Sequence, residues 1–153
     1  MSMDIEEWRQ AMARGMSQTP FVAGLEGVTV EGGGGFCRMR LPYSHKLVGN
    51  PDTGVVHGGV ITGMLDQCCG TAVGTGLPNP SAIATLDLRI DYMKPARPDA
   101  DILFEARCLK VSHDVAFARG IAYQDSPDDP IANATAAFML TNTGGAGMPL
   151  KPA

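Results

Sequence analysis

The sequence predicts an α+β fold in which one long antiparallel sheet packs on one dominant helix. Three observations lead there. A single long helical pattern runs from about His57 to Thr75, a glycine-linked hairpin precedes it, and four strand-like segments follow in a row. The links between those segments are short, and short links favour antiparallel pairing. A chain of 153 residues that is 44% hydrophobic and 18% charged fits one globular unit with a real core.

The elements follow in order. Asp4 to about Met16 reads as a short amphipathic helix: Asp4 is placed to cap it, Glu6 and Glu7 suit the positive end of the helix dipole, and Ile5, Trp8, Met12 and Met16 recur at helical spacing. Gly24 to Glu31 reads as a strand, the run from Gly32 to Gly35 as a turn, and Phe36 to Leu41 as the returning strand. The glycine run is not a phosphate loop, since no Lys-Ser/Thr pair follows and no helix opens after it. Pro42 to Gly54 is expected to be loop. After the main helix and Pro78-Asn79-Pro80, strands are expected over Ala82–Met93, Asp101–Val111, Val115–Gln124 and Ile131–Thr141. The Gly/Pro-rich segment from Gly144 is expected to be a flexible tail. The organisation is thus an N-terminal helix in 1–20, a main domain over 21–142 and a tail over 143–153.

Several function classes recede. The net charge of −4 argues against a nucleic-acid binder, which needs a basic surface to neutralise phosphates. No stretch approaches the roughly 18–20 apolar residues that span a bilayer, and the acidic start has no signal-peptide core, so a cytoplasmic protein is expected with neither nucleic acid nor membrane as partner. Cys37, Cys68, Cys69 and Cys108 show neither CxxC spacing nor a disulfide pattern and read as reduced, small apolar residues. A reactive nucleophile or metal ligand is the alternative for them. His45 and His113 show no metal-ligand spacing, and no metal or cofactor is expected.

The helix from His57 carries the functional signal. On a helical wheel Val60, Ile61, Met64, Leu65, Cys68, Thr71 and Ala72 form one face, which is expected to pack on the sheet. Gly59, Thr62, Gly63, Asp66, Gly70 and Val73 form the other. A solvated face normally carries Lys, Glu, Arg or Gln, whereas from Thr53 to Thr75 the only carboxylate is Asp66 and no Lys or Arg appears. Each mid-helix glycine costs about 1 kcal/mol relative to alanine, so something is expected to approach closely on that side: a second subunit, another backbone or a ligand. Asp66 is then an acid at an interface or cleft, paired with a cation or tuned for chemistry. At the helix start, Gly58 and Gly59 leave first-turn N–H groups unshielded, which suits a polarised carbonyl oxygen. Asp66 lies roughly 10 Å along the axis from that end, too far for one chain to place both groups on one small substrate, so a symmetric dimer is expected. His57 is either a base or a capping residue.

Asn50, His57-Gly-Gly-Val and Leu65-Asp66, followed by Thr85-Leu-Asp-Leu-Arg-Ile-Asp-Tyr-Met-Lys-Pro-Ala, resemble the hotdog-fold acyl-CoA thioesterases of the phenylacetate-pathway (PaaI-like) type. The resemblance runs from about Gly24 to Leu140. It implies an antiparallel sheet wrapped around one long central helix, dimers joined sheet edge to sheet edge, and tetramers made of two dimers. It also implies an acyl-CoA substrate, CoA being part of the substrate rather than a cofactor. By position, Asp66 matches the family's catalytic carboxylate and Gly58 the glycine whose N–H polarises the thioester carbonyl. Asn50 matches an asparagine that holds substrate or water, and Thr85 stands where relatives place a hydroxyl beside the attacking water. The loop from Asn50 to His57 is about one residue longer than in close relatives, and the Thr85 methyl alters the water site. Gly59 and Tyr92 are expected to line the substrate. Lys94, Arg97, Lys110 and His113 are candidate cations for the CoA phosphates or, equally, ordinary turn charges. A hotdog enoyl-CoA hydratase or dehydratase and a non-catalytic acyl-CoA-binding or regulatory domain are the rival readings.

Overall fold

The computed structural model describes residues 6, 7, 10, 11, 15, 18–79 and 81–141. Of the expected N-terminal helix, Glu6, Glu7, Gln10, Ala11 and Gly15 are described and helical, while Asp4, Ile5, Trp8, Met12 and Met16 lie outside the described residues, as does the expected tail over 143–153. A short helix α1 (Pro20–Leu25) leads into strands β1 (Val28–Gly33) and β2 (Phe36–Leu41), a small ribbon of β3 (Val48–Asn50) and β4 (Val55–Val56), the long helix α2 (Gly58–Gly76), and strands β5 (Ala82–Tyr92), β6 (Ile102–Val111), β7 (Val115–Tyr123) and β8 (Ala132–Thr141). Among the described residues no helix is long and apolar enough to cross a membrane.

Two expectations before α2 are corrected. The strand expected from Gly24 begins only at Val28, because Pro20 opens a helical turn that runs to Leu25. Proline suits a first helical turn, where its missing N–H is not needed. Glu26 closes that turn in the left-handed region (φ 62°), its N–H bonded to Ala23 O. The stretch Pro42–Gly54 is not all loop. It holds a 3-10 turn at His45–Leu47 and strand β3, which pairs antiparallel with β4 just beyond it, held down by the buried Leu47 and Val56. The β1–β2 hairpin agrees with expectation. Its two central residues, Gly34 and Gly35, have φ of 58° and 83°, the left-handed pair that a tight hairpin turn requires.

Every neighbouring strand pair is antiparallel, but the order in the six-stranded sheet is β1-β2-β6-β7-β8-β5. The short-link rule therefore holds for β6, β7 and β8 and fails for β5. One side of β6 is taken by β2 and the other by β7. The 93–101 link, anchored by the buried Ala96, carries the chain away, and β5 pairs along its length with β8 instead. This leaves β5 at the sheet edge.

Helix α2 lies in the curve of this sheet, giving the hotdog arrangement expected above. The inward positions of β6, β7 and β8 are largely alanine: Ala106, Ala116, Ala118, Ala122, Ala132, Ala134 and Ala136 are all buried. Small side chains let the helix sit close. At Gly120 the approach is closest, since an added Cβ would come within 2.9 Å of Cys69 Sγ and 3.3 Å of Leu65 Cδ2. Of the expected sheet face of α2, Ile61, Met64, Leu65, Cys68, Thr71 and Ala72 are buried, and Val60 is half-buried. Burial is wider than the wheel implies, for every residue from Cys68 to Thr75 is buried.

Two glycines of the other face are explained within this chain: Gly63 receives the ring of Phe21 from α1, and a Cβ on Gly59 would lie 2.9 Å from His57 Nδ1. A Cβ on Gly70 would stand 3.5 and 3.6 Å from Phe138 and Ile83, ordinary contacts that do not by themselves demand a glycine. The close approach expected there does not require a second subunit.

Packing at Gly120 is directly testable. Gly120→Ala should destabilise the fold by about 1–3 kcal/mol through overpacking. Gly24→Ala, where nothing lies within 4 Å of an added Cβ, should stabilise it by about 0.4–1 kcal/mol. Urea unfolding midpoints of the two variants should move in opposite directions.

Candidate active site

The start of α2 is a hydrogen-bonded cradle. His57 caps the helix, its Nδ1 accepting the Gly59 N–H at 2.9 Å, so the capping alternative is the one the geometry displays. The His57 N–H donates to Leu47 O at 2.8 Å, which ties the cap to the β3–β4 segment. The Gly58 carbonyl accepts from the Tyr92 hydroxyl at 2.7 Å and lies 3.1 Å from Thr62 Oγ1, and the two hydroxyl oxygens are within hydrogen-bond distance of each other at 2.5 Å. The peptide between Gly58 and Gly59 is thus gripped at both ends. One first-turn donor remains: the exposed Gly58 N–H has no acceptor among the described residues. Gly59, expected to offer a second, has its N–H committed to His57. A Cβ on Gly58 would meet the Tyr92 ring at 3.6 Å, an ordinary contact, so space within the chain does not itself demand a glycine. The cradle opens into a cleft of about 320 Å³ lined by Val55, Gly58, Ile61, Tyr92, Lys94 and Pro95, among others.

A second constellation lies further along the helix. Asp66 is half-buried, and its Oδ1 accepts from the Thr85 hydroxyl at 2.9 Å. Thr85 reaches it because of a bulge. Thr85 pairs with Phe138 and Asp87 with Ala137, so Leu86 is an extra residue in β5. Before the bulge Ile83 and Thr85 pair with the inward Leu140 and Phe138; after it Leu88, Ile90 and Tyr92 pair with the inward Ala136, Ala134 and Ala132. In an unbulged strand, residues 85 and 92 would point to opposite faces. The bulge turns both towards α2.

The two constellations are separate within one chain. Gly58 and Asp66 are eight residues apart on one helix, about 12 Å at 1.5 Å per residue. The structure therefore gathers His57, Gly58, Gly59 and Tyr92 at one place and Asp66 and Thr85 at another. Asn50 belongs to neither group. Its Oδ1 accepts from the Asp52 N–H at 3.0 Å and its carbonyl from the Gly54 N–H at 2.9 Å, so it closes its own turn.

Most candidate cations already hold an acid. Lys94 is ion-paired with Asp129 and Arg97 with Asp125 at 2.7 Å, and His113 Nδ1 lies within hydrogen-bond distance of Asp114 Oδ1 at 2.8 Å. The hydrogen bond that Arg97 donates to the Asp125 carboxylate pushes the Arg97 pKa above its ordinary value. Lys110 has no ion pair among the described residues. Lys110 lies near the C-terminal end of β6, and His113 lines a groove with Leu77 and Pro78 just beyond α2. The helix separates both from Lys94 and Arg97. Among the described residues no cluster of His, Cys, Asp or Glu is arranged to hold a metal ion.

Sequence reasoning missed three contributors: Thr62, the true use of the Tyr92 hydroxyl, and Phe21. A threonine four residues after Gly58 was a legible sign, since helix Thr hydroxyls bond back to the carbonyl one turn earlier. The four cysteines are free thiols, three of them buried. Burial, with the Asp66 charge adding to it, pushes the Cys69 thiol up to about 12, and burial raises Cys68 as well.

Residues 53–131 match the family model of the thioesterase superfamily. The chain is 30% identical over 118 residues to YigI of Escherichia coli, a medium/long-chain acyl-CoA thioesterase, covering 69% of this chain and 75% of that one. It spans 62 to 75% of the length of the curated relatives it matches. Among solved structures, a Pseudomonas aeruginosa protein is 42% identical with a TM-score of 0.76, covering 89% of this chain and 98% of that one. PaaI of Escherichia coli, from the phenylacetic acid degradation operon, has a TM-score of 0.78 at 12% identity, covering 90% and 96%. That likeness is one of fold.

The raised thiols set an expected pH behaviour. With a pKa of about 12, Cys69 is thiolate at pH 8 to only about one part in ten thousand. Iodoacetamide at pH 8 should leave Cys68 and Cys69 unlabelled in native protein and label both in urea. Rapid native labelling of Cys69 would place that part of α2 in water rather than in the core.

Proposed function

The chain belongs to the thioesterase superfamily, and on that premise we propose that it hydrolyses an acyl-CoA thioester to a free acid and CoA. The observation that carries this reading is the pairing of an open Gly58 N–H at a rigid helix start with a hydroxyl-bonded carboxylate, Asp66, on the same helix. The named activity of the YigI relative points to the same substrate class.

The chemistry follows from these groups. A thioester carbonyl gains negative charge on oxygen as it is attacked, and an N–H already aimed at that oxygen stabilises the charge without reorganising. Gly58 supplies that N–H. Tyr92, Thr62 and His57 hold the adjoining peptide so that the donor does not swing away. Asp66, steadied by Thr85, activates or orients the water, or attacks the carbonyl itself. In the water route oxygen adds to the carbonyl carbon, the C–S bond breaks, and the proton taken from water passes to the departing sulfur.

One chain cannot place both groups on one carbonyl, since they stand about 12 Å apart along the helix. We therefore assign the working unit to a homodimer in which Asp66 of one copy serves the Gly58 cradle of the other. Strand β5 is the fitting joint: β8 takes one of its edges, no strand among the described residues takes the other, and Leu86 on it is 55% exposed. Pairing two such edges would continue the sheet and cover a row of unpaired backbone groups. The hydratase reading is less favoured, because Nδ1 of His57 is occupied as a cap and Asp66 lies two turns away. In the non-catalytic reading CoA would be bound but not released.

Two variants test the proposal in a thiol-release assay across acyl-CoAs. Asp66→Asn should lower turnover by about 10²–10⁴-fold with dimer mass and circular dichroism unchanged. Turnover equal to wild type would remove Asp66 from the chemistry. Tyr92→Phe should lower kcat several-fold with KM nearly unchanged, as expected for loss of a group that orients the carbonyl donor. A change confined to KM would instead make Tyr92 a substrate contact.

A further inference from the structure

We propose that Phe21 forms a wall of the acyl-binding space and sets which acyl groups the enzyme accepts; this rests on the thioesterase reading above. Helix α1 is seated firmly. Val22 is fully buried, and a Cβ at Gly27 would lie 2.8 Å from Met64 Cε and 3.1 Å from Val22 Cγ1. The neighbouring Phe21 lies against α2 at Gly63. Its Cζ and Cε1 lie 2.6 and 2.8 Å from where a Cβ of Gly63 would stand, so the ring occupies the space that residue leaves empty. The ring is nevertheless 55% exposed.

The position of that ring is what gives it a role. Gly63 is four residues after Gly59 and three before Asp66, spacings that place all three on one side of a helix. Phe21 therefore stands over the line from the cradle end of the helix to the carboxylate. Asp66 has the polar Thr85 hydroxyl as its hydrogen-bond partner, and about one turn earlier on the helix Gly63 is covered by an aromatic ring with an exposed face. A thioester whose carbonyl carbon is attacked near Asp66 carries its acyl group away from that carbon. Polar Thr85 suits the water, and the open ring suits the hydrocarbon, since burying apolar surface against it is favourable. The glycine at 63 is then explained: any side chain there would push the ring into the acyl space.

The test compares kcat/KM for a straight-chain acyl-CoA series and phenylacetyl-CoA in wild type, Phe21→Ala, Phe21→Trp and Gly63→Ala. Phe21→Ala should shift preference toward longer or bulkier acyl groups by at least tenfold in the ratio of longest to shortest substrate. Phe21→Trp should shift it the other way, and Gly63→Ala, whose methyl would displace the Phe21 ring, should alter the profile with residue 21 itself still phenylalanine. Phe21→Leu replaces the alanine variant if thermal unfolding shows that variant to be unfolded. A wild type that hydrolyses the series, with variants that change all substrates by one common factor or none, overturns the inference and leaves the thioesterase reading standing. A folded wild type that hydrolyses no acyl-CoA overturns both.

Discussion

Helix α2 rests on a sheet surface paved with alanine, and the short distance this allows governs the rest of the molecule. Ala106, Ala118, Ala134 and Ala136 give the helix nothing to climb over, and Gly120 lets Cys69 and Leu65 press against the backbone of β7. Interiors this dense do not absorb an extra methyl group without displacement. With its second half sealed on every side, the helix offers only its first half to chemistry. The helix groups proposed for catalysis accordingly lie between His57 and Asp66, where the helix emerges from the core.

A single extra residue in β5 links this packing to the site. The bulge at Leu86 reverses the alternation of the strand, so that Thr85 meets Asp66 and Tyr92 meets Gly58 from one strand running antiparallel to β8 at the sheet edge. Each hydroxyl anchors one of the two groups proposed for catalysis. The same strand is the edge proposed to join two copies. Site geometry and the proposed assembly therefore depend on one local irregularity, and each half of the proposed site is held by bonds within the chain.

Charge and glycine both required the structure for a correct interpretation. Lys94, Arg97 and His113 read along the chain either as cations for the CoA phosphates or as ordinary turn charges, and in space they meet Asp129, Asp125 and Asp114. Two of those acids come from the turn before β8, distant in sequence. The glycines of α2 correctly announced close approach, yet Gly63 is approached by Phe21 of the same chain, and Gly59 is kept small by its own capping histidine, 2.9 Å from where a Cβ would stand. A missing side chain reports that space is taken, not what takes it.

What the amino-acid sequence determined by itself was local and periodic. The bounds of β2 and α2, the Gly34–Gly35 turn, the apolar stripe from Ile61 to Ala72 and the isolation of Asp66 among small neutral residues all follow from spacing and side-chain chemistry within a few turns of chain. Only the tertiary structure decided the placement of β5 beside β8, the conversion of Gly24–Leu25 into the end of a helix, the bulge at Leu86 and the commitment of the Tyr92 hydroxyl to Gly58. These depend on which surfaces meet after the chain has doubled back. Strand pairing satisfies backbone groups that are identical at every residue, so the local pattern does not specify a partner; competition for both edges of β6 does.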